Sequence, residues 1–153
     1  MLARLITPAV KRGIEDLEQA RHEACRLAGS MPVTHWRVEL DGRDMSGDYL
    51  LIEAMNIRCV GPNLCFAVHA QPGDGQVEVV LAGERERAAL QAIARDELAE
   101  NAVLRPHSGR RLRIWCERDD LHVDDIYGRA LYEGQELMQI DVELTGRGVD
   151  ILI

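Results

Sequence analysis

Short apolar runs separated by turn signals recur along this 153-residue sequence, on both sides of one stretch, residues 84–100, that is rich in Ala, Leu, Glu and Arg. That arrangement limits the folds open to the chain. A parallel, doubly wound sheet needs strands and helices to alternate, because each parallel connection is a crossover, usually carried by a helix. Here strands follow strands across tight turns. The reading is therefore mainly β (α+β): an antiparallel β-sandwich with an N-terminal helix and one helix inserted between strands. About eight to ten strands are expected on this pattern. The organisation expected is an N-terminal helix over residues 1–30 and a β-sandwich domain over residues 31–153.

Thr7 can cap a helix and Pro8 fits its first position. From there to Ala28 the residues Val10, Ile14, Leu17, Ala24 and Leu27 fall near helical spacing, and Gly29 is the expected stop. Residues 35–40 alternate, and Asp41-Gly42 is a hairpin-type turn. Residues 49–55 form a nearly continuous apolar run, which predicts one central, buried strand. Residues 65–69 and 77–82 are expected as strands on either side of Gln71-Pro72-Gly73-Asp74-Gly75, the strongest turn signal in the chain. Residues 105–111 are expected as a loop. Residues 112–116 and 121–123 are expected as strands around a turn at 117–120, followed by further strands at 139–144 and 149–153.

The apolar fraction, 46%, suffices for a buried core and excludes global disorder. The longest uncharged stretch, residues 59–73, is broken by Gly, Pro, Asn and His, whereas a membrane span needs ~18 or more apolar residues. With 18 basic and 26 acidic residues the net charge is −8. Nucleic acids and anionic lipid surfaces reward clustered Lys and Arg, so neither nucleic-acid binding nor electrostatic docking on anionic lipid is expected, and without an apolar span no integral membrane association is expected. Cys25, Cys59, Cys65 and Cys116 include no Cys-x2-Cys pair, and the five-residue gap between Cys59 and Cys65 is not a usual zinc spacing. They are expected as free thiols in a reducing compartment, and the location expected is cytoplasmic.

No phosphate loop and no Gly-x-Ser-x-Gly nucleophile turn occurs in the sequence. Asp119, Asp120, Asp124 and Asp125, with His122 between them, form an acidic group that suits either a divalent cation or a solvated hairpin. Asp74-Gly75 is open to two readings as well. Gly tolerates positive φ and Asp bonds its own backbone, which makes a turn; the same carboxylate with neighbouring oxygens suits Mg²⁺. His69 lies just before that turn, as a neighbour of any site there or as a hydrogen-bonded structural residue.

The run from Val38-Glu39-Leu40-Asp41-Gly42 through residues 51–56, ending in Asn56, then Gly61-Pro62-Asn63 and Ala70-Gln71-Pro72-Gly73-Asp74-Gly75-Gln76-Val77 carries a resemblance. Over residues 33–153 the order of elements resembles the C-terminal β-sandwich domain of the diacylglycerol kinase, sphingosine kinase and bacterial lipid kinase family. In that comparison residues 84–100 stand for the family's helix and residues 110–114 for its Arg-rich strand. Residues 121–125 and 149–153 take the last two places. The resemblance implies a weak structural Mg²⁺ site at Asp74, with Gln71 and the carbonyl of Gln76 alongside, and Glu78 where the family has a second Asp.

The departures are specific. The family's nucleotide-binding domain, with its Gly-Gly-Asp-Gly-Thr loop, has no counterpart here. The family's Asp-Gly-Glu turn supplies a base for the lipid hydroxyl; here Asp124-Asp125-Ile126 and Glu133-Gly134-Gln135 compete for that place, and neither has Glu third. Gln135 cannot take a proton as a carboxylate does. The resemblance thus implies a stand-alone lipid-kinase-like domain that is catalytically incomplete and binds a ligand or a separate catalytic kinase chain, with ATP entering only through that chain. The alternatives are a homo-oligomeric, non-enzymatic β protein and a fragment of a full ATP-dependent lipid kinase.

Overall fold

The computed structural model describes residues 16–96, 104–117, 122–123, 126–127, 137–144 and 149–152. The elements run α1 (Leu17–Ser30), β1 (Thr34–Leu40), β2 (Arg43–Asp44), β3 (Gly47–Tyr49), β4 (Leu51–Met55) and β5 (Val77–Ala82). A 3-10 turn, Glu84–Glu86, leads into α2 (Arg87–Arg95). Then come β6 (His107–Gly109), β7 (Arg111–Glu117), β8 (His122–Val123), β9 (Ile126–Tyr127), β10 (Leu137–Leu144) and β11 (Val149–Leu152). Every strand pairing among the described residues is antiparallel. Among the described residues the architecture is mainly β with two α-helices, as the sequence pattern predicts.

The larger sheet has the order β11-β10-β7-β1-β2, with β3 also on β1; the smaller is β4-β5-β6, and β8 pairs with β9. Alternation along β1 turns Trp36, Val38 and Leu40 inward, where they meet Leu112 of β7, Ile140 of β10, and Ile52, Val77 and Val79 of the smaller sheet. The smaller sheet's other face is covered too. There Leu51, Met55, Val80 and Ala82 pack with Ala24 and Ala28 of α1 and Leu90 and Ala94 of α2. The molecule is layered as helices, small sheet, large sheet. A strand covered on both faces needs apolar residues at successive positions, and β4 and β5 are apolar apart from Glu78 and the buried Glu53, which stands opposite Val80.

Local chemistry explains the turns and ends. Asp41 (φ 51°) and Gly42 (φ 79°) both take left-handed backbone, as the twist of a two-residue hairpin demands. The partner arm of that hairpin is interrupted at Met45 and Ser46, where the Val38 amide donates to the Ser46 hydroxyl at 3.1 Å. α1 begins at the Asp16 cap, whose carboxylate accepts from the Glu18 amide at 2.9 Å.

Several expectations are corrected. Residues 49–55 are two strands, not one: β3 pairs with β1, β4 pairs with β5, and the chain passes between sheets at buried Leu50. Residues 65–69 form no strand. Phe66 and Ala67 are both buried in the helix-side core, which turned, irregular backbone allows. Residues 107–109, expected within a loop, add β6 to the edge of the smaller sheet. β8 pairs with β9, in the region where a turn back from residues 112–116 is expected. Gly29 lies inside α1; the helix ends because Pro32 holds Met31 in extended backbone (φ −63°, ψ 132°).

Cys59 and Cys65, expected as free thiols, form a disulfide. The reversal at Gly61 and Asn63, both at positive φ, brings them together. Cys25 is free and half-buried. No helix among the described residues is long and apolar enough to cross a membrane.

Candidate functional site

The outward face of the larger sheet gathers charge in a pattern set by register. β1 contributes Arg37 and Glu39, β7 contributes Arg111, Arg113 and Trp115, and β10 contributes Gln139, Asp141 and Glu143. Arg37 stands opposite Trp115, and Glu39 opposite Arg113. On the other side of β7, Gln139, Asp141 and Glu143 stand opposite Trp115, Arg113 and Arg111. Each contact follows from these pairs. Arg113 Nε donates to Asp141 at 2.6 Å and its Nη1 reaches Glu39 at 3.5 Å; Arg111 Nη2 donates to Glu143 at 2.9 Å. The guanidinium of Arg37 lies 3.9 Å from the centre of the Trp115 ring, and that of Arg113 lies 5.9 Å from it. A planar cation over an indole face is the favourable cation–π geometry.

At one end this face opens into a cleft of about 440 Å³ lined by Glu39, Asp41, Gly42, Glu143, Arg110, Arg111 and Arg113. Asp41 is committed there. Its carboxylate accepts from the backbone amides of Arg110 at 3.0 Å and Arg111 at 2.8 Å, joining the β1–β2 hairpin to the start of β7. Gly109 permits that approach: a Cβ there would lie 2.5 Å from Leu40 Cδ1 and 2.9 Å from Asp41 Oδ2.

The carboxylates of this surface therefore have internal partners. The Gln139 amide and then the Arg113 guanidinium hold the Asp141 carboxyl below its ordinary range. The Arg111 guanidinium is raised, chiefly by its hydrogen bond to Glu143. Two exposed arginines of this surface differ from Arg111 and Arg113. Among the described residues neither Arg37 nor Arg110 has a hydrogen-bonded or ion-paired carboxylate; Arg37 rests on Trp115 and Arg110 lies at the cleft. With Arg37 and Arg110 counted, four arginines face four carboxylates (Glu39, Asp41, Asp141 and Glu143) here, on a chain whose net charge is −8.

Gln71, Asp74 and Gln76 do come together in one turn. The Asp74 amide donates to the Gln71 carbonyl at 3.3 Å, and Asp74 Oδ1 accepts from the Gln76 amide at 2.8 Å. All three are exposed. Mg²⁺ prefers carboxylate oxygens and water in strict octahedral geometry. Here one carboxylate oxygen is spent on the turn, and Glu78 is turned to the Ser108 hydroxyl at 2.9 and 3.0 Å. Among the described residues no group of three or more His, Cys, Asp or Glu is placed to hold a metal. The turn leaves one Asp74 carboxylate oxygen for a cation, a sparse donor set for Mg²⁺. Millimolar Mg²⁺ is expected to leave the melting temperature unchanged within about 1 °C, since a ligand stabilises only in proportion to its binding. A rise that disappears in Asp74→Ala would restore the site.

Asn56 is half-buried just after β4 and His69 is exposed in a turn; neither reaches the charged face through any hydrogen bond or ion pair among the described residues. Asp124, Asp125, Glu133 and Gln135 lie outside the described residues, as do Asp119 and Asp120. Sequence reasoning passed over Arg37, Asp41 and Trp115 as site residues. The available signal was the alternation Arg111, Arg113, Trp115, which marks one face of a strand. Comparison with protein-family models, with curated proteins and with solved structures gave no match.

Proposed function

We propose that this chain is a binding module for a phosphate-bearing ligand, held on the outward face of the larger sheet by Arg37 and Arg110. The observation that carries the reading is the pairing pattern. Arg111 and Arg113 are ion-paired with Glu143, Asp141 and Glu39, while Arg37 and Arg110 have no carboxylate at ion-pair distance among the described residues, Arg37 acting on Asp44 only through its longer-range field. A guanidinium offers a planar fork of donors that matches phosphate oxygens, and stacking on Trp115 fixes the orientation of Arg37 without satisfying all its N–H groups.

The resemblance to lipid-kinase C-terminal domains belongs to the same proposal and rests on the order of elements. In that form the module holds a phosphorylated lipid headgroup or nucleotide, and a separate catalytic chain supplies the nucleotide chemistry. The isolated chain then needs no base of its own.

Titration with inorganic phosphate, with ATP, and with phosphatidylcholine vesicles with and without phosphatidic acid tests the reading and separates its two ligand sources. Saturable binding is expected for at least one phosphate-bearing probe. Arg110→Ala and Arg37→Ala are each expected to weaken it about tenfold, the equivalent of one charge-assisted hydrogen bond. Added salt should weaken it further. Binding unaffected by both substitutions, or no binding of any probe, overturns the proposal.

A further inference from the structure

The Cys59–Cys65 bridge lies where α1, α2 and the segment between β4 and β5 meet, and one side chain joins all three. Arg21 of α1 donates from Nη1 to the carbonyls of Pro62 at 3.1 Å and Asn63 at 3.3 Å, inside the ring that the disulfide closes. Its Nε and Nη2 donate to the carbonyls of Ala94 at 3.1 Å and Ile93 at 2.8 Å, at the end of α2. The same guanidinium lies 3.2 Å from Asp96.

The ring is tight. Val60 and Leu64 exchange both backbone hydrogen bonds, at 3.0 and 2.9 Å, and between them Gly61 (φ 53°) and Asn63 (φ 61°) take left-handed backbone. Asn tolerates that region less readily than Gly, so the turn is one the chain holds more securely when its ends are tied. The tied turn is what sets the Pro62 and Asn63 carbonyls before Arg21. Both cysteines are half-exposed, so a soluble reductant reaches them.

We propose that the Cys59–Cys65 disulfide is a redox latch: closed, it holds the Pro62–Asn63 carbonyls in the grip of Arg21 and so fixes α1 against the body; opened, it loosens α1. This goes beyond the ligand-binding reading and does not depend on it. The chemistry balances with a dithiol reductant. Its thiolate attacks one sulfur of the bridge, forming a mixed disulfide and releasing the other cysteine as a thiolate, which takes up a proton. The reductant's second thiol then gives up its proton, and its sulfur displaces the remaining cysteine, which is protonated in turn. The protein gains two electrons and two protons, and the reductant becomes a disulfide. The Val60–Leu64 bridge keeps the two thiols near each other, so the step is reversible.

The test is hydrogen exchange on the full chain, oxidised and then reduced with dithiothreitol, with free thiols counted by alkylation and mass spectrometry. Oxidised protein is expected to show Cys59 and Cys65 blocked. On reduction the amides of α1 are expected to exchange at least tenfold faster, while those of β1 and β7 stay protected. In Arg21→Lys, α1 should exchange fast in both states and no longer respond to the reductant. Three results would overturn the latch: both cysteines alkylated in protein kept under air, equal protection of α1 in the two states, or an equal loss of protection across every strand.

Discussion

Replacing Arg21 with alanine is expected to destabilise the fold by about 2–4 kcal/mol, although the residue lies on a helix and touches no apolar core residue through its charge. The estimate comes from what the guanidinium satisfies. The last carbonyls of any helix lack partners within it. In α2 the Ala94 carbonyl takes its partner from Arg21 at 3.1 Å, the Ile93 carbonyl accepts from Arg21 at 2.8 Å as well as from the Asp96 amide at 3.1 Å, and the cation also sits at the negative end of the helix dipole. The same group holds the Pro62 and Asn63 carbonyls, and its side chain is only 11% exposed. The contact to Asp96 contributes little, because that carboxylate is 79% exposed and a surface ion pair is worth ~0–1 kcal/mol. Lysine keeps the charge, but a single ammonium cannot span carbonyls on two sides, so Arg21→Lys should recover less than half of the loss. Urea denaturation of the three proteins reads this directly. A change below about 0.5 kcal/mol in Arg21→Ala, the range of an ordinary surface substitution, would show that these hydrogen bonds do not hold α1 and α2 together.

What the sequence made legible follows from the range of the forces involved. The hairpin at Asp41-Gly42 is announced by its two turn residues, because positive φ at both is a local demand. β5, Val77–Ala82, is announced by a turn before it and an apolar run of strand length. The run at 49–55 is different. Its apolar residues signal burial, and both β3 and β4 have buried neighbours, but no Gly or Pro marks the passage between sheets at Leu50. A change of partner strand is a tertiary event that periodicity does not record. β6 is short and has two exposed residues, so its place in the fold is set by pairing to β5 and by the close approach of Gly109 to Leu40 and Asp41.

The candidate site was legible only in part. Alternation along residues 111–115 places Arg111, Arg113 and Trp115 on one face, but which acids neutralise them depends on the register of β7 with β10. Arg37 and Trp115 are distant in sequence and adjacent across a ladder. Cys59 and Cys65 carry no pairing signal in their spacing; it is the reversal through Gly61, Pro62 and Asn63 that joins them. Asp74 shows the converse. Its turn was legible, and the same local bonding that makes the turn commits one of its two carboxylate oxygens.

The layered arrangement carries the largest expected effect. Val79 and Val80 are neighbours on β5, 0% and 1% exposed, so their side chains leave opposite faces of the smaller sheet. Val79 packs toward the larger sheet with Val38 and Leu112, and Val80 toward the helices with Ala24 and Leu90. An ordinary antiparallel sheet with one wet face tolerates charge at one of two such positions. Here neither should. Burying an uncompensated carboxylate costs several kcal/mol even after relaxation, against a total stability of about 5–15 kcal/mol. Val79→Asp and Val80→Asp are each expected to abolish cooperative unfolding and the native near-ultraviolet signal of Trp36. The milder Val79→Ala and Val80→Ala should fold with losses of about 1–3 kcal/mol each, from transfer and cavity terms. Thr34→Asp, at an exposed position of β1, should change stability by no more than about 0.5 kcal/mol. If either valine-to-aspartate variant unfolds cooperatively at near wild-type stability, the face it occupies is open to water. Survival of Val80→Asp would then detach the helices from the sheet, and survival of Val79→Asp would separate the two sheets.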